Sequence, residues 1–192
     1  MLERSSRHSV ERMERTPPIE PLSADDPGPL RVINAGLVLL APFFGHLFRH
    51  LGYLGPAGEF PITERIRAVH LTQFVATGEQ GFSEHELALN KLVCGIDPTF
   101  PVPVSVGLVD AELAEAEEMI RSALAHWVPL RNTSILGLRQ SFLRRVGLIS
   151  TTPLGPNLRV ERLTLDILLE SIPWGFRTIS FPWMAHVLTV EW

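Results

Sequence analysis

Apolar residues recur every three or four positions over most of the chain between residues 34 and 145, a spacing typical of helices that pack on a core. This spacing predicts helices over residues 34–51, 63–77, 84–94, 111–127 and 134–145. Asn34, Asp110 and the segment Asn132–Ser134 precede three of these helices and are expected to cap them. Ser83 and Glu86 form a capping-box pattern before another. The first two thirds of the chain are therefore predicted to be mainly helical.

The last third of the chain changes to an alternating pattern, which favours strands. A turn at residues 153–156 separates two predicted strands, and Pro182 interrupts a final pair. The predicted strands are residues 147–152, 157–163, 177–181 and 186–191, with a short helix at 165–171. The fold class is therefore expected to be α+β, with a small antiparallel β-layer following the helices.

The first 29 residues differ in composition from the rest. Arginines alternate with glutamates up to residue 15, and five prolines follow before Leu30. Prolines at that density oppose helices and sheet interiors. We therefore expect a flexible charged and Pro-rich arm over residues 1–29, followed by a single domain over residues 30–192.

Composition restricts the function classes. A hydrophobic content of 45% supports a sizeable core, and a net charge of −4 gives no general attraction to nucleic acid. The single cysteine, Cys94, excludes an internal disulfide and suits a reducing compartment, so we expect a cytoplasmic protein. The apolar stretch 32–48 contains Asn34, Pro42 and His46, which favours a buried helix over a membrane span.

Catalytic and metal-binding patterns are incomplete. His85 and Glu86 begin a zinc-protease motif, but Leu89 occupies the position of the second histidine. His46 and His50 are four residues apart, yet no neighbouring residue in the sequence completes a metal site. Cys94 ends an apolar helical stripe, where cysteine is usually a buried hydrophobe. The sequence therefore predicts neither an enzyme nor a cofactor.

A nucleic-acid-binding module is the alternative interpretation. The predicted helix 134–145 carries Arg139, Arg144 and Arg145, expected to face outward, and a predicted hairpin follows it. A basic helix followed by a hairpin resembles the outline of a winged helix. Against this alternative, the preceding helix is acidic, and the arginines also suit a solvated helix C-terminus.

The C-terminal segment is unusually aromatic. It contains three of the four tryptophans, Trp174, Trp183 and Trp192, together with Phe181 and Met184. A core role is the first expectation for each tryptophan alone. Because tryptophan is enriched at interface anchors and a terminal Trp192 can reach outward, we predict that these five residues as a set bind a partner.

Several separated segments resemble one family, the contractile injection system tape measure proteins. The segments are Asn34–Phe44, Arg67–Glu79, His85–Gly95, His126–Ser134 and Trp174–Trp192. The resemblance implies a structural component of a bacterial, phage-tail-like particle that sets tube length and contacts tube, hub, spike or baseplate subunits. Only about 30 residues precede the similar region, which is short for a ruler. The resemblance therefore favours docking. The net charge and the residues within 32–48 predict no nucleic-acid partner and no membrane span.

Overall fold

The structure, a computed structural model, describes residues 28–192. The predicted arm lies outside the described residues except for Gly28 and Pro29. None of the helices in the described part is long and apolar enough to cross a membrane.

Helices form the first two thirds of the described chain, as predicted. The α-helices are α1 (Ala41–His50), α2 (Ile62–Thr77), α3 (Ala88–Val93), α4 (Asp110–His126) and α5 (Ile135–Leu138). Segments of 3-10 helix cover Ala35–Leu40, Glu84–Leu87, Val128–Leu130 and Thr164–Ser171, and a π-helical turn, Arg139–Leu143, extends α5. The first predicted helix is thus divided into a 3-10 helix and α1. Pro42 lies in the first turn of α1, where the N–H that proline lacks would have no partner within the helix.

The sheet has five strands in the order β1-β2-β3-β5-β4. The strands are β1 (Leu30–Val32), β2 (Gly147–Thr152), β3 (Gly155–Val160), β4 (Thr178–Ile179) and β5 (Leu188–Glu191). All pairs are antiparallel except β3 with β5, which is parallel. The mainly antiparallel C-terminal layer is therefore confirmed, whereas β1 was not predicted.

The 3-10 helix Ala35–Leu40 lies at the centre of the core, where all of its residues are buried. It contacts α2, the π-helical turn and β3. Gly36 allows this approach, because a Cβ atom there would lie only 1.7 Å from the Phe142 carbonyl oxygen. The helical layer and the sheet therefore meet on this short helix.

Asn34 occupies the predicted N-cap position, but the prediction that its side chain caps the helix is wrong. Its side chain makes no cap hydrogen bond and is fully buried. Its Nδ2 group donates to Gln73 Oε1 (2.6 Å) and to Asn90 Oδ1 (2.7 Å). This network of buried amides joins α2 and α3 to the chain entering the core.

The start of α4 also differs from the prediction. The N-cap residue is Val109 instead of Asp110, and Glu112 accepts a hydrogen bond from the Val109 N–H (2.8 Å). Glu112 also accepts from both Arg67 and the Tyr53 hydroxyl. One acidic residue of this helix is therefore buried and joins α4 to α2.

Candidate partner-binding surface

The C-terminal segment is anchored to the rest of the fold by its three indole N–H groups. Trp174 donates to the Leu39 carbonyl (2.7 Å) and Trp183 to the Val93 carbonyl (2.9 Å). Trp192 donates to a carboxylate oxygen of Asp166 (2.9 Å). Each indole thus satisfies its only polar atom inside the protein while its ring packs on neighbours.

Trp174 lies between the first helices and the end of α4. Its ring makes an edge contact with Phe43, with ring centroids 4.9 Å apart, and another with Trp127 at 6.4 Å. The Trp174 side chain is half-buried. Its position is therefore that of a packing residue at the margin of the core.

Trp183 and Phe181 form a stacked pair, with ring centroids 4.7 Å apart and planes inclined by 10°. Trp183 also contacts Phe48 and Phe60, with centroids 5.9 and 5.2 Å away. Both members of the pair are half-buried. The two rings pack against the helical core beside Met184.

Trp192 does not reach outward, and the core role expected first for each tryptophan alone is confirmed for this residue. The residue is 4% exposed and makes an edge contact with Phe176. Asp166 pairs with both the Trp192 indole and the buried Arg145 guanidinium. Trp192 is therefore part of the core. A partner contact of Trp192 stays a prediction.

Met184 lies in an apolar depression, which we call the hairpin groove. The groove has a volume of about 540 Å³ and lies between the β2–β3 hairpin, the end of α3 and the segment around Met184. Its apolar part is formed by Leu30, Leu92, Ile96, Ile149, Leu154 and Met184. The groove thus collects residues from four separate parts of the sequence.

Leu154 is the most exposed large hydrophobic side chain of the described residues, at 92%. It lies in the β2–β3 turn, between Thr152 and Gly155. The turn is held in place, because Thr152 Oγ1 donates to the Gly155 carbonyl (2.7 Å). Together with the apolar groove beside it, this leucine forms grouped apolar surface, which favours a protein contact.

The predicted binding residues therefore separate in space. Phe181, Trp183 and Met184 lie together, and Met184 is the member that lines the groove. Trp174 and Trp192 lie elsewhere. Sequence analysis did not select Leu154. Its place between Pro153 and Pro156 in a predicted turn could have indicated an exposed apolar side chain.

A second depression, of about 490 Å³, lies beside Trp192. Arg162, Arg177, Asp166 and Glu170 line it together with apolar residues. Because basic and acidic groups are both present, neither sign of charge predominates. The depression indicates no particular class of ligand.

The basic helix differs from the sequence prediction. Arg139 and Arg145 were expected to face outward but are 7% and 3% exposed. Arg139 donates to the Phe74 and Val75 carbonyls, and Arg144 pairs with Glu79. The outward basic face on which the nucleic-acid alternative depended is therefore absent from this helix.

His46 and His50, the pair considered as metal ligands, stack on each other. The His50 ring also lies 3.5 Å from the carboxylate of Glu115 on α4. Residues 28–192 contain no group of three or more histidine, cysteine or acidic side chains that could hold a metal ion. Cys94 is fully buried, and burial raises the pKa of its thiol, which disfavours the reactive thiolate.

Comparison with known proteins gives one match. A family model described as contractile injection system tape measure protein matches residues 2–192. Neither the curated proteins nor the solved structures contain a significant match to this chain.

Proposed function

The chain belongs to the contractile injection system tape measure protein family, and from that premise we propose that it docks on a tube, hub or baseplate subunit through the hairpin groove. A tape-measure-related role in a contractile injection system follows from family membership. The family's role is structural, and the proposal accordingly gives this chain no catalytic step. Docking would place the domain in the particle during cytoplasmic assembly and let it contribute to tube length control.

The observation that carries the proposal is the juxtaposition of Leu154 and Met184. Leu154 is almost completely exposed, and Met184 lines the same groove. Exposed apolar surface that is grouped favours a protein contact. Methionine adapts its shape to a partner at little cost, because its side chain is flexible and polarisable.

The dimensions of the fold favour docking over spanning. A compact domain of roughly 165 residues has a radius of gyration near 15 Å. This domain therefore extends over only tens of ångströms, and we assign its contribution to length control to the contact it makes with a particle subunit.

Affinity purification from a host that produces the particles tests the proposal. Tagged full-length wild-type chain should recover tube, hub or baseplate subunits, identified by mass spectrometry. The double variant Leu154→Asp/Met184→Glu should lose them while keeping its circular dichroism spectrum and its unfolding midpoint. A charge placed in the apolar contact would be left without water or a partner, which explains the loss.

Val128→Asp is the matched control, because Val128 is 67% exposed and lies outside the groove. This variant should recover the subunits like the wild type. Recovery of the same subunits by the groove double variant would overturn the docking site. Loss of recovery in both variants would indicate a nonspecific effect of added charge.

A further inference from the structure

The 3-10 helix Thr164–Ser171 presents an exposed edge beside the depression near Trp192. In a 3-10 helix, side chains three residues apart lie in line along the same edge. One edge of this helix consists of Thr164, Ile167 and Glu170, and all three residues are exposed. Ile167 and Glu170 also line the depression. This edge therefore places an apolar and an acidic side chain next to each other at the surface.

Another edge of the same helix, formed by Asp166 and Leu169, holds it on the core. Leu169 is 9% exposed and belongs to the core cluster. Asp166 pairs with the buried Arg145 and accepts a hydrogen bond from the Trp192 indole. Because this edge is fixed, the helix presents Ile167 at a defined position on the surface, where the residue is 70% exposed.

The charged groups around the depression are of both signs. Glu170 is exposed, and so is Arg177, which lines the same depression. Neither of the two forms an ion pair with any residue from 28 to 192. A ligand of one charge would be repelled by one of these groups, whereas a surface that carries both signs can complement both. The same face of a second copy is such a surface.

We propose that this face binds the same face of a second copy of the chain across a twofold axis. In such a contact each residue pair is made twice, once in each direction. Ile167 of each copy packs against the 3-10 helix of the other, and Glu170 of each copy pairs with Arg177 of the other. The contact removes an exposed aliphatic side chain from water and gives both charges a partner. It does not rest on the docking proposal, because Leu154 and Met184 take no part in it.

Sedimentation velocity of the purified full-length chain over a dilution series tests the contact without any particle subunit. The wild type should show a reversible equilibrium between monomer and dimer. Ile167→Asp should raise the dissociation constant of the dimer by about tenfold, because the twofold axis buries the added charge twice. Val104→Asp is the matched control, since Val104 is 72% exposed and lies outside the depression. This control should associate like the wild type.

Charge reversal at the paired positions distinguishes this contact from other modes of self-association. Glu170→Arg leaves two basic groups at these positions, and Arg177→Glu leaves two acidic groups, so each variant should self-associate about tenfold more weakly than the wild type. An equimolar mixture of the two variants should form a heterodimer, because opposite charges then meet at both pairs. The double variant Glu170→Arg/Arg177→Glu should associate with itself like the wild type.

A wild type that stays monomeric over the whole dilution series would overturn the proposal, and so would a mixture that associates no better than its two components. Loss of the dimer in the groove double variant Leu154→Asp/Met184→Glu would assign self-association to the hairpin groove and contradict the proposal. A dimer that persists in this variant, even where recovery of particle subunits fails, would support it, since the two surfaces then act separately.

Discussion

The indole N–H of Trp183 donates a hydrogen bond to the Val93 carbonyl at 2.9 Å, two residues before Gly95. This bond ties the C-terminal segment to the end of α3. The Trp183 carbonyl in turn lies so close to Gly95 that a Cβ atom there would be 2.1 Å from it. Met184, the next residue, therefore reaches the groove from a fixed position.

The Gly95→Ala substitution tests this anchoring. Gly95 has a φ of +70°, a conformation that costs an alanine about 1–2 kcal/mol, and the clash with Trp183 adds about 1–3 kcal/mol. Urea unfolding should show a loss of roughly 2–5 kcal/mol. Gly52 has a φ of +72° but nothing within 4 Å of a Cβ, so Gly52→Ala should lose only the conformational part. Equal losses in the two variants would contradict the close approach.

Trp192 is predicted to stabilise the fold through both its ring and its N–H group. Trp192→Ala should lower the free energy of unfolding by about 3–5 kcal/mol, since a buried aromatic ring is removed. Trp192→Phe keeps a ring but leaves Asp166 without this donor, so it should cost about 1–2 kcal/mol. A loss below about 1 kcal/mol for Trp192→Ala, measured by chemical denaturation, would be inconsistent with the buried position.

Glu112 is expected to make stability depend on acid pH. Burial alone would raise the pKa of Glu112, but hydrogen bonds from Arg67, Tyr53 and the Val109 N–H outweigh it and hold the pKa below its usual value of about 4.3. A carboxyl with a lowered pKa in the folded state stabilises the fold above the unfolded-state pKa. That contribution is lost as the pH falls through the folded-state pKa.

Urea unfolding between about pH 5 and pH 3 measures this contribution. The wild type should lose more stability over that range than Glu112→Gln, which has no titrating carboxyl at this position. At neutral pH the variant should be less stable by roughly 1–3 kcal/mol, because charged hydrogen bonds to Arg67 are weakened. Parallel stability curves for the two proteins would refute the role assigned to Glu112.

Arg139 is predicted to act in stability rather than in nucleic-acid binding. Arg139→Met removes the donors to the Phe74 and Val75 carbonyls at the end of α2 and should cost about 1–3 kcal/mol. Arg131→Met, at an exposed position, should change stability by less than about 0.5 kcal/mol. The nucleic-acid alternative predicts the opposite for Arg139→Met, with stability unchanged and DNA binding weakened.

Helices and the hairpin were predictable from the sequence because their signals are local. Periodicity indicated α2 and α4, Gly78 ends α2 in a left-handed conformation, and Pro153 with Gly155 marked the β2–β3 turn. Each signal lies within the element it describes, so no knowledge of distant residues was needed.

Polar residues whose partners are distant could not be placed in this way. Asn34 precedes a helical pattern and was read as a cap, but its partners Gln73 and Asn90 lie far along the chain. Arg139 is likewise buried because the carbonyls at the end of α2 need donors. The parallel pairing of β3 with β5 also depends on the whole path of the chain.

The groove itself was only partly predictable. Met184 was selected because it is near the tryptophans, whereas Leu154 and Leu92 come from elements that give no sign in the sequence of lying side by side. An apolar residue in a turn is a local signal, but its neighbours are fixed only by the tertiary packing that brings the hairpin, the end of α3 and the segment around Met184 together.

Tube length in the native host tests the central claim most directly. A strain lacking the gene is complemented with wild type, with Val128→Asp, or with Leu154→Asp/Met184→Glu, and particles are counted and measured by negative-stain electron microscopy. Wild type and Val128→Asp should restore normal yield and a narrow length distribution, and the groove double variant should not. Particles of normal yield and length from the groove double variant would contradict docking through the groove.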